Sequence, residues 1–404
     1  MSDWEWLRGG ITAVPGVMAA GIHSGIKASG KKDLALIHST RTATAAGCFT
    51  TNQVKGAPVQ VSMEHLKAGV GQAIVASSGN ANTCTGEQGL KDAREMTKIV
   101  SELLRIPPRH VFVASTGVIG QPLPIEKIRG SLPKLVKALS PQGGKNAAEA
   151  IMTTDTVPKE AALRVEVAGR PVTIGGLAKG SGMVHPNMAT MFCFLATDLA
   201  VARPQLQTTL RRAADQTVNR ITIDGDRSTS DTLLILANGL AENKSLDRPG
   251  ADLRVFARAL HAIMERFAKL LVADAEGATK VVEIVVKGAA NRRDALSAAR
   301  GVASSLLVKT ALNGQDPNWG RLMAALGASG AAIQPDRVGV WFADEPVAVG
   351  GQLTAEVRWG KVREVMLRKE FTILIDLGLG NAQDHYWTSD LSEEYVRINT
   401  KYTT

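Results

Sequence analysis

Cysteine is scarce in this chain, with three in 404 residues, at Cys48, Cys84 and Cys193. An odd count at such wide spacing fits neither a disulfide framework nor a zinc site. The three read instead as small buried hydrophobes of a reducing compartment. Aromatics make up only 4% of the chain, so the core has to be aliphatic. No apolar run approaches the ~18 residues of a membrane helix. Residues 1–10 are acidic and lack the apolar segment of a secretory signal. The expected location is therefore the cytoplasm, with no membrane partner. Positive charge is in excess, at +9, but it is scattered, and its longest clusters are pairs such as Lys31-Lys32, Arg211-Arg212 and Arg292-Arg293. Without a basic stripe interleaved with aromatics, nucleic acid is not an expected partner. A basic surface suits capture of small anionic substrates. No two histidines have metal-ligand spacing, and no metal is expected.

What is present is glycine, 39 residues of it, among short apolar runs that alternate with longer amphipathic ones. Strands are expected at residues 34–37, 73–76, 111–114, 192–196, 281–286, 338–342 and 371–375. Residues 165–167 and 172–174 flank Ala168-Gly169-Arg170-Pro171 and read as an antiparallel hairpin. Between about 251 and 272, Leu253, Phe256, Leu260, Ile263, Met264, Phe267 and Leu271 recur at helical steps and give one apolar face. Further helices are expected at about 204–219, with Pro204 in the first turn, and at 87–105 and 295–307. The mixture predicts an α+β fold of helix-covered, layered β-sheets with a smaller C-terminal α/β unit. A loose turn at 288–291 divides the chain into a larger unit, 1–287, and a smaller one, 288–404.

Two tempting motifs fail. Gly25-Ile26-Lys27-Ala28-Ser29-Gly30-Lys31 resembles a phosphate loop, but Lys32 stands where a metal-binding Ser or Thr belongs, so it reads as a glycine-rich turn. Asp224, Asp226 and Asp231 lack calcium-loop spacing and read as loop or capping residues.

Chemistry gathers between Lys179 and Met191. Glycines, a proline and an asparagine precede an apolar strand, and Thr190 stands at its entrance. A threonine freed as a chain N-terminus carries its own base, because its α-amine takes the hydroxyl proton. That amine ordinarily titrates at about 7.7–8.0, near working pH. The stretch 179–191 closely resembles the cleavage site of the ornithine acetyltransferase family, also called glutamate N-acetyltransferases. Other segments match the same family in the same order: Ser77-Ser78-Gly79-Asn80-Ala81-Asn82, Ser115-Thr116-Gly117, Thr153-Thr154-Asp155-Thr156, Asn219-Arg220, Asp224-Gly225-Asp226, Glu276-Gly277, Val308-Lys309-Thr310 and the tail from Tyr395 to Thr404. The departures are modest: His185 replaces a small or aliphatic residue and Gln315 a basic one.

The resemblance implies a self-cleaving enzyme of the N-terminal-nucleophile kind. Cleavage between Ala189 and Thr190 would give an alpha chain, 1–189, and a beta chain, 190–404, assembled as two copies of each. Thr190 would carry the acetyl group from N-acetylornithine to glutamate, with no cofactor. Some members of the family also use acetyl-CoA as a co-substrate, and no residue here decides that point. By the same resemblance, Thr116 and Gly117 form the oxyanion hole. Lys179 binds a substrate carboxylate, Glu276 pairs with the ornithine ammonium, and Asn399 and Thr404 reach the substrate from the tail. Thr153 contacts substrate, unless its neighbour Thr154 does. A rival reading is an N-terminal-nucleophile aminopeptidase or amidase, which would pass its acyl group to water rather than to an amine.

Overall fold

The structure is a computed structural model and describes residues 4–185 and 191–401. Two mixed sheets organise it. Across the larger sheet the strands run Trp4–Leu7, Lys159–Val167, Arg170–Lys179, Phe192–Thr197, Thr232–Ala237, Leu34–Phe49, Val70–Asn80 and Val111–Val118, and Val17–Ile22 also pairs with Leu34–Phe49. The long strand Leu34–Phe49 shifts register between His38 and Ala43. Its first half pairs with Val17–Ile22 and its second half with Thr232–Ala237.

Side-chain alternation sorts the two faces. Phe192, Phe194, Ile74, Ala76, Phe112 and Ala114 point into one core. Their neighbours Cys193 and Leu195 join a second core on the opposite face, and Ala73, Val75, Val111 and Val113 join a third. The second core is closed by the helix Ala251–Ala273, whose Phe256, Leu260, Ile263, Met264, Phe267 and Leu271 are fully buried. Each such side chain contributes roughly 1.5–3 kcal/mol by leaving water. The third core is covered by Ala57–Leu66, Gly86–Leu104 and Ile125–Lys137.

The hairpin forms as expected. Val167 pairs with Arg170, which leaves Ala168 and Gly169 as a two-residue turn with both φ angles positive (+52° and +69°). Such a turn matches the right-handed twist of its strands.

The smaller sheet runs Gln352–Leu353, Glu345–Val349, Gly339–Phe342, Glu370–Asp376, Val281–Ala289, Ala382–Ser389 and Ile221–Thr222. The boundary expected at 287/288 thus falls inside a strand. Val281–Ala289 lies between Glu370–Asp376 and Ala382–Ser389 and belongs wholly to the second sheet. The helix expected at 295–307 is two helices, Arg292–Ala303 and Leu306–Asn313. The Ser305 hydroxyl accepts the Val308 N–H and starts the second helix as its N-cap.

The cysteines also divide. Cys193 is buried and Cys48 half-buried, but Cys84 is exposed, so the expectation of three buried side chains fails there. It sits in a left-handed turn with φ +60°. Among the described residues no helix is long and apolar enough to cross a membrane, and no group of His, Cys, Asp or Glu is placed to hold a metal ion.

Candidate active site

The glycine-rich turn at 25–31 explains why its phosphate-loop appearance misleads. Its amide groups already hold an anion of the chain itself. Asp33, fully buried, accepts the backbone N–H groups of Ser24 (2.6 Å), Ile26 (2.8 Å) and Lys27 (3.0 Å).

Val70–Asn80 and Val111–Val118 run parallel with Ser77 opposite Ser115, Ser78 opposite Thr116 and Gly79 opposite Gly117. The Ser77 and Ser115 hydroxyls are 2.8 Å apart in the core. Gly117 has φ +130°, and a Cβ there would lie 2.4 Å from the Gly79 carbonyl carbon. Only glycine fits, and the strand ends with backbone bare of side chain. Asn80-Ala81-Asn82 turns the neighbouring strand away. Asn80 Oδ1 accepts the Asn82 N–H (2.7 Å), while Asn82 Nδ2 donates to the Gly89 carbonyl (3.0 Å).

Thr116 faces a cleft that Gly117, Thr153, Lys179, Glu276 and Asn399 also line. These are six of the residues expected to act on substrate or transition state. The other three, Ala189, Thr190 and Thr404, lie outside the described residues. Thr154 lines the cleft too, but its hydroxyl is 2.7 Å from that of Ser181. Among the described residues no hydrogen bond holds the Thr153 hydroxyl.

Lys179 ends the strand Arg170–Lys179 and is almost completely buried. Burial lowers its ammonium below the usual lysine range, and Asp155 opposes that shift. Its hydrogen bond to Thr116 Oγ1 is long, at 3.4 Å. Because Lys179 donates to the Thr116 oxygen, the Thr116 proton remains available for another acceptor.

Asp155 belongs to a matched motif but had no role assigned from sequence. It accepts Lys159 Nζ (2.7 Å), the Gly180 N–H (2.7 Å) and the Thr153 N–H (3.0 Å). Burial pushes its carboxyl up, but Lys179, Lys159 and these bonds outweigh it and hold the group at about 2. Lys159 in turn spans Asp155 and Asp274 (2.5 Å). This buried network fixes the loops on either side of Lys179.

Glu276 follows the helix Ala251–Ala273, and its N–H donates to the Ser181 carbonyl (2.8 Å). A Cβ on Gly182 would meet the Glu276 carboxylate at 2.6 Å, so that glycine admits the acid to the cleft. Asn399 Nδ2 donates to Glu276 Oε2 (2.7 Å) and to the Tyr395 carbonyl (3.0 Å). The tail is a helix, Glu393–Lys401. Val396 is 57% exposed. The Tyr395 hydroxyl reaches Asp224 (3.3 Å), and Ser392 Oγ donates to the Gly277 carbonyl (2.6 Å).

The cleft thus brings together a buried lysine, a carboxylate, the Thr116 hydroxyl and the bare backbone of Gly117. Such a site receives a small molecule bearing both a carboxylate and an amine. The ArgJ family model matches residues 18–404. The chain belongs to the ArgJ family. The arginine biosynthesis bifunctional protein ArgJ of Symbiobacterium thermophilum is 50% identical over 402 residues, covering 99% of this chain and all of that protein. Its counterpart in Geobacter sulfurreducens is 47% identical over 391 residues, covering 97% of this chain and all of its own. Among solved structures, the Mycobacterium tuberculosis ornithine acetyltransferase, complexed with ornithine, is 40% identical. It covers 45% of this chain and 98% of its own, with a TM-score of 0.43.

Proposed function

We propose that this ArgJ-family chain is an ornithine acetyltransferase of arginine biosynthesis that matures by cleaving itself between Ala189 and Thr190. The observation that carries the reading is the single cleft in which Lys179 and Glu276 flank Thr116 and Gly117. In maturation, the Thr190 hydroxyl adds to the Ala189 carbonyl carbon, the peptide C–N bond breaks, and the hydroxyl proton passes to the Thr190 nitrogen. Water then attacks the ester, which leaves an Ala189 carboxylate and a free Thr190 hydroxyl and amine.

In turnover, Lys179 takes the α-carboxylate of N-acetylornithine, and Glu276, oriented by Asn399, takes its side-chain ammonium. Thr190 attacks the acetyl carbonyl while its own α-amine accepts the hydroxyl proton. The Thr116 hydroxyl and Gly117 N–H hold the developing oxyanion. Ornithine leaves with the proton. The glutamate amine then attacks the acetyl ester, N-acetylglutamate departs and Thr190 is restored. Splitting the transfer in two lets one pocket serve both amino acids in turn. Acetyl-CoA as a second acetyl donor, a tetramer of two alpha and two beta chains, Thr404 as a further substrate contact and a cytoplasmic location complete the proposal. No cofactor enters it.

Intact mass under denaturing conditions gives the first test: two polypeptides, the first ending at Ala189, and a single chain in Thr190→Ala. Initial rates with N-acetylornithine and glutamate varied together should give parallel reciprocal lines. Release of acetate in place of N-acetylglutamate would point to a hydrolase, and intersecting lines to direct transfer. Glutamate with acetyl-CoA alone tests the second donor.

A further inference from the structure

The segment that contains the cleavage site is tied at both ends to one other stretch of chain. Upstream, Asp224 accepts the backbone N–H groups of Met183 and Val184, the latter at 2.9 Å. Ile223 N donates to the Val184 carbonyl (2.8 Å), and His185 Nδ1 lies 3.0 Å from the Thr222 hydroxyl. Downstream, Asp231 Oδ1 accepts the Met191 N–H (2.8 Å), and Thr232 N donates to the Met191 carbonyl (3.1 Å). Six residues, 185–190, separate Val184 from Met191, and six, 225–230, separate Asp224 from Asp231. The two carboxylates therefore hold the two described ends of the scissile segment.

Both aspartates cap backbone amides, as expected of them, and the amides they cap flank the cleavage site. Asp231 is 1% exposed, and its second oxygen has no hydrogen-bond partner among the described residues. A carboxyl group in such a place is costly unless it performs a task. The acyl shift needs the attacking oxygen held about 3–3.5 Å from its carbonyl carbon, and small misplacements of the flanking backbone cost large factors in rate.

We infer that Asp224 and Asp231 are positioning residues for self-cleavage, and that Asp231 alone goes on to position the nucleophile in turnover. The difference follows from the cut. After it, Asp224 holds the end of the first chain and the Tyr395 hydroxyl of the tail helix, whereas Asp231 still holds the amide of Met191, the residue bonded to Thr190. The inference rests on Thr190 being the nucleophile.

The test compares two rates in the full-length protein, cleavage followed by intact mass and acetyl transfer by the fully cleaved fraction. Asp224→Asn should slow cleavage at least ~10-fold more than it slows turnover. Asp231→Asn should slow both by comparable factors of ~10 or more, with KM values within about threefold of wild type. Thermal midpoints screen for folding. If an Asn variant does not fold, Asp224→Glu and Asp231→Glu keep the carboxyl group but shift it by one methylene. They should show the same pattern. Wild-type cleavage rates in the folded variants overturn the inference, as does an identical effect of both positions on both rates. A wild-type chain that never cleaves instead refutes the role of Thr190 itself, and the two failures are distinct.

Discussion

Lys179 directs its ammonium at the Thr116 hydroxyl across 3.4 Å, and no carboxylate among the described residues lies within ion-pair distance of it. A buried cation so weakly partnered is poised for an anionic ligand. Both N-acetylornithine and glutamate bring an α-carboxylate. Lys179→Met should therefore raise KM for both, by about 10–100-fold, the range of a charged hydrogen bond worth ~1.5–3 kcal/mol. The pH dependence has a definite sign. Burial lowers the Lys179 ammonium, so its charge, and with it carboxylate binding, is lost as pH rises through a value below the ordinary 10.5. KM of the wild type should climb on the alkaline side, and that climb should be missing in Lys179→Met. Unchanged affinity in the variant would remove Lys179 from the site.

Thr116 and Gly117 should fail in different ways. Thr116→Ala removes one oxyanion donor and should cost ~2.7–4 kcal/mol in kcat, about 10²–10³-fold, with little change in KM. Gly117→Ala places a Cβ 2.4 Å from the Gly79 carbonyl carbon at φ +130°, so it should separate the two strand ends and lower the thermal midpoint as well as kcat. Equal midpoints for the two variants would contradict this division.

Glu276 and Asn399 form one unit across the cleft, bonded at 2.7 Å. Glu276→Gln should raise KM for N-acetylornithine more than for glutamate, because only the former brings a side-chain ammonium. Asn399→Ala should do the same more weakly, by leaving the carboxylate unoriented. In the double variant the effects on log KM should be less than additive, as for any directly coupled pair. Strict additivity would show that Asn399 acts elsewhere.

How legible these features were depended on their range. The hairpin around Ala168-Gly169 and the helix Ala251–Ala273 were plain because turn chemistry and a 3.6-residue period are local. The break at Ser304-Ser305 was missed because an amphipathic pattern persists across it, and only the Ser305 cap marks the stop. The boundary was set inside the strand Val281–Ala289 because Gly288 looks like a turn residue. Its left-handed φ of +67° instead marks an irregularity within a strand. For the site, the resemblance supplied Thr116, Lys179 and Glu276. Asp155 had no readable role, and Asp224 and Asp231 read only as loop or capping residues, since the backbone amides they hold lie up to 41 positions away in sequence. No local pattern encodes such pairings.

The last prediction concerns Lys309, another lysine of a matched motif. It is 1% exposed, and its ammonium donates to Thr388 Oγ1 (2.8 Å), to Ser389 Oγ (3.2 Å) and to the Ser389 carbonyl. Burial lowers it to about 7, against the pull of Asp390 and Asp224. In the unfolded chain a lysine titrates near 10.4. Between these values the unfolded chain binds more protons than the folded one, so the contribution of Lys309 to stability rises with pH across that window. Below about 7 both states are protonated and the cost of burying the charge is complete. Lys309→Met removes this dependence. It also takes a donor from Thr388 and Ser389, which offsets the whole curve without reversing its slope. The stability of the variant relative to wild type should therefore be most favourable near pH 6 and decline steadily toward pH 9.5. Thermal midpoints measured in the Thr190→Ala background keep the unfolding unit a single polypeptide. A difference that stays flat across the range, or grows with pH, would mean that Lys309 remains charged in the folded protein throughout.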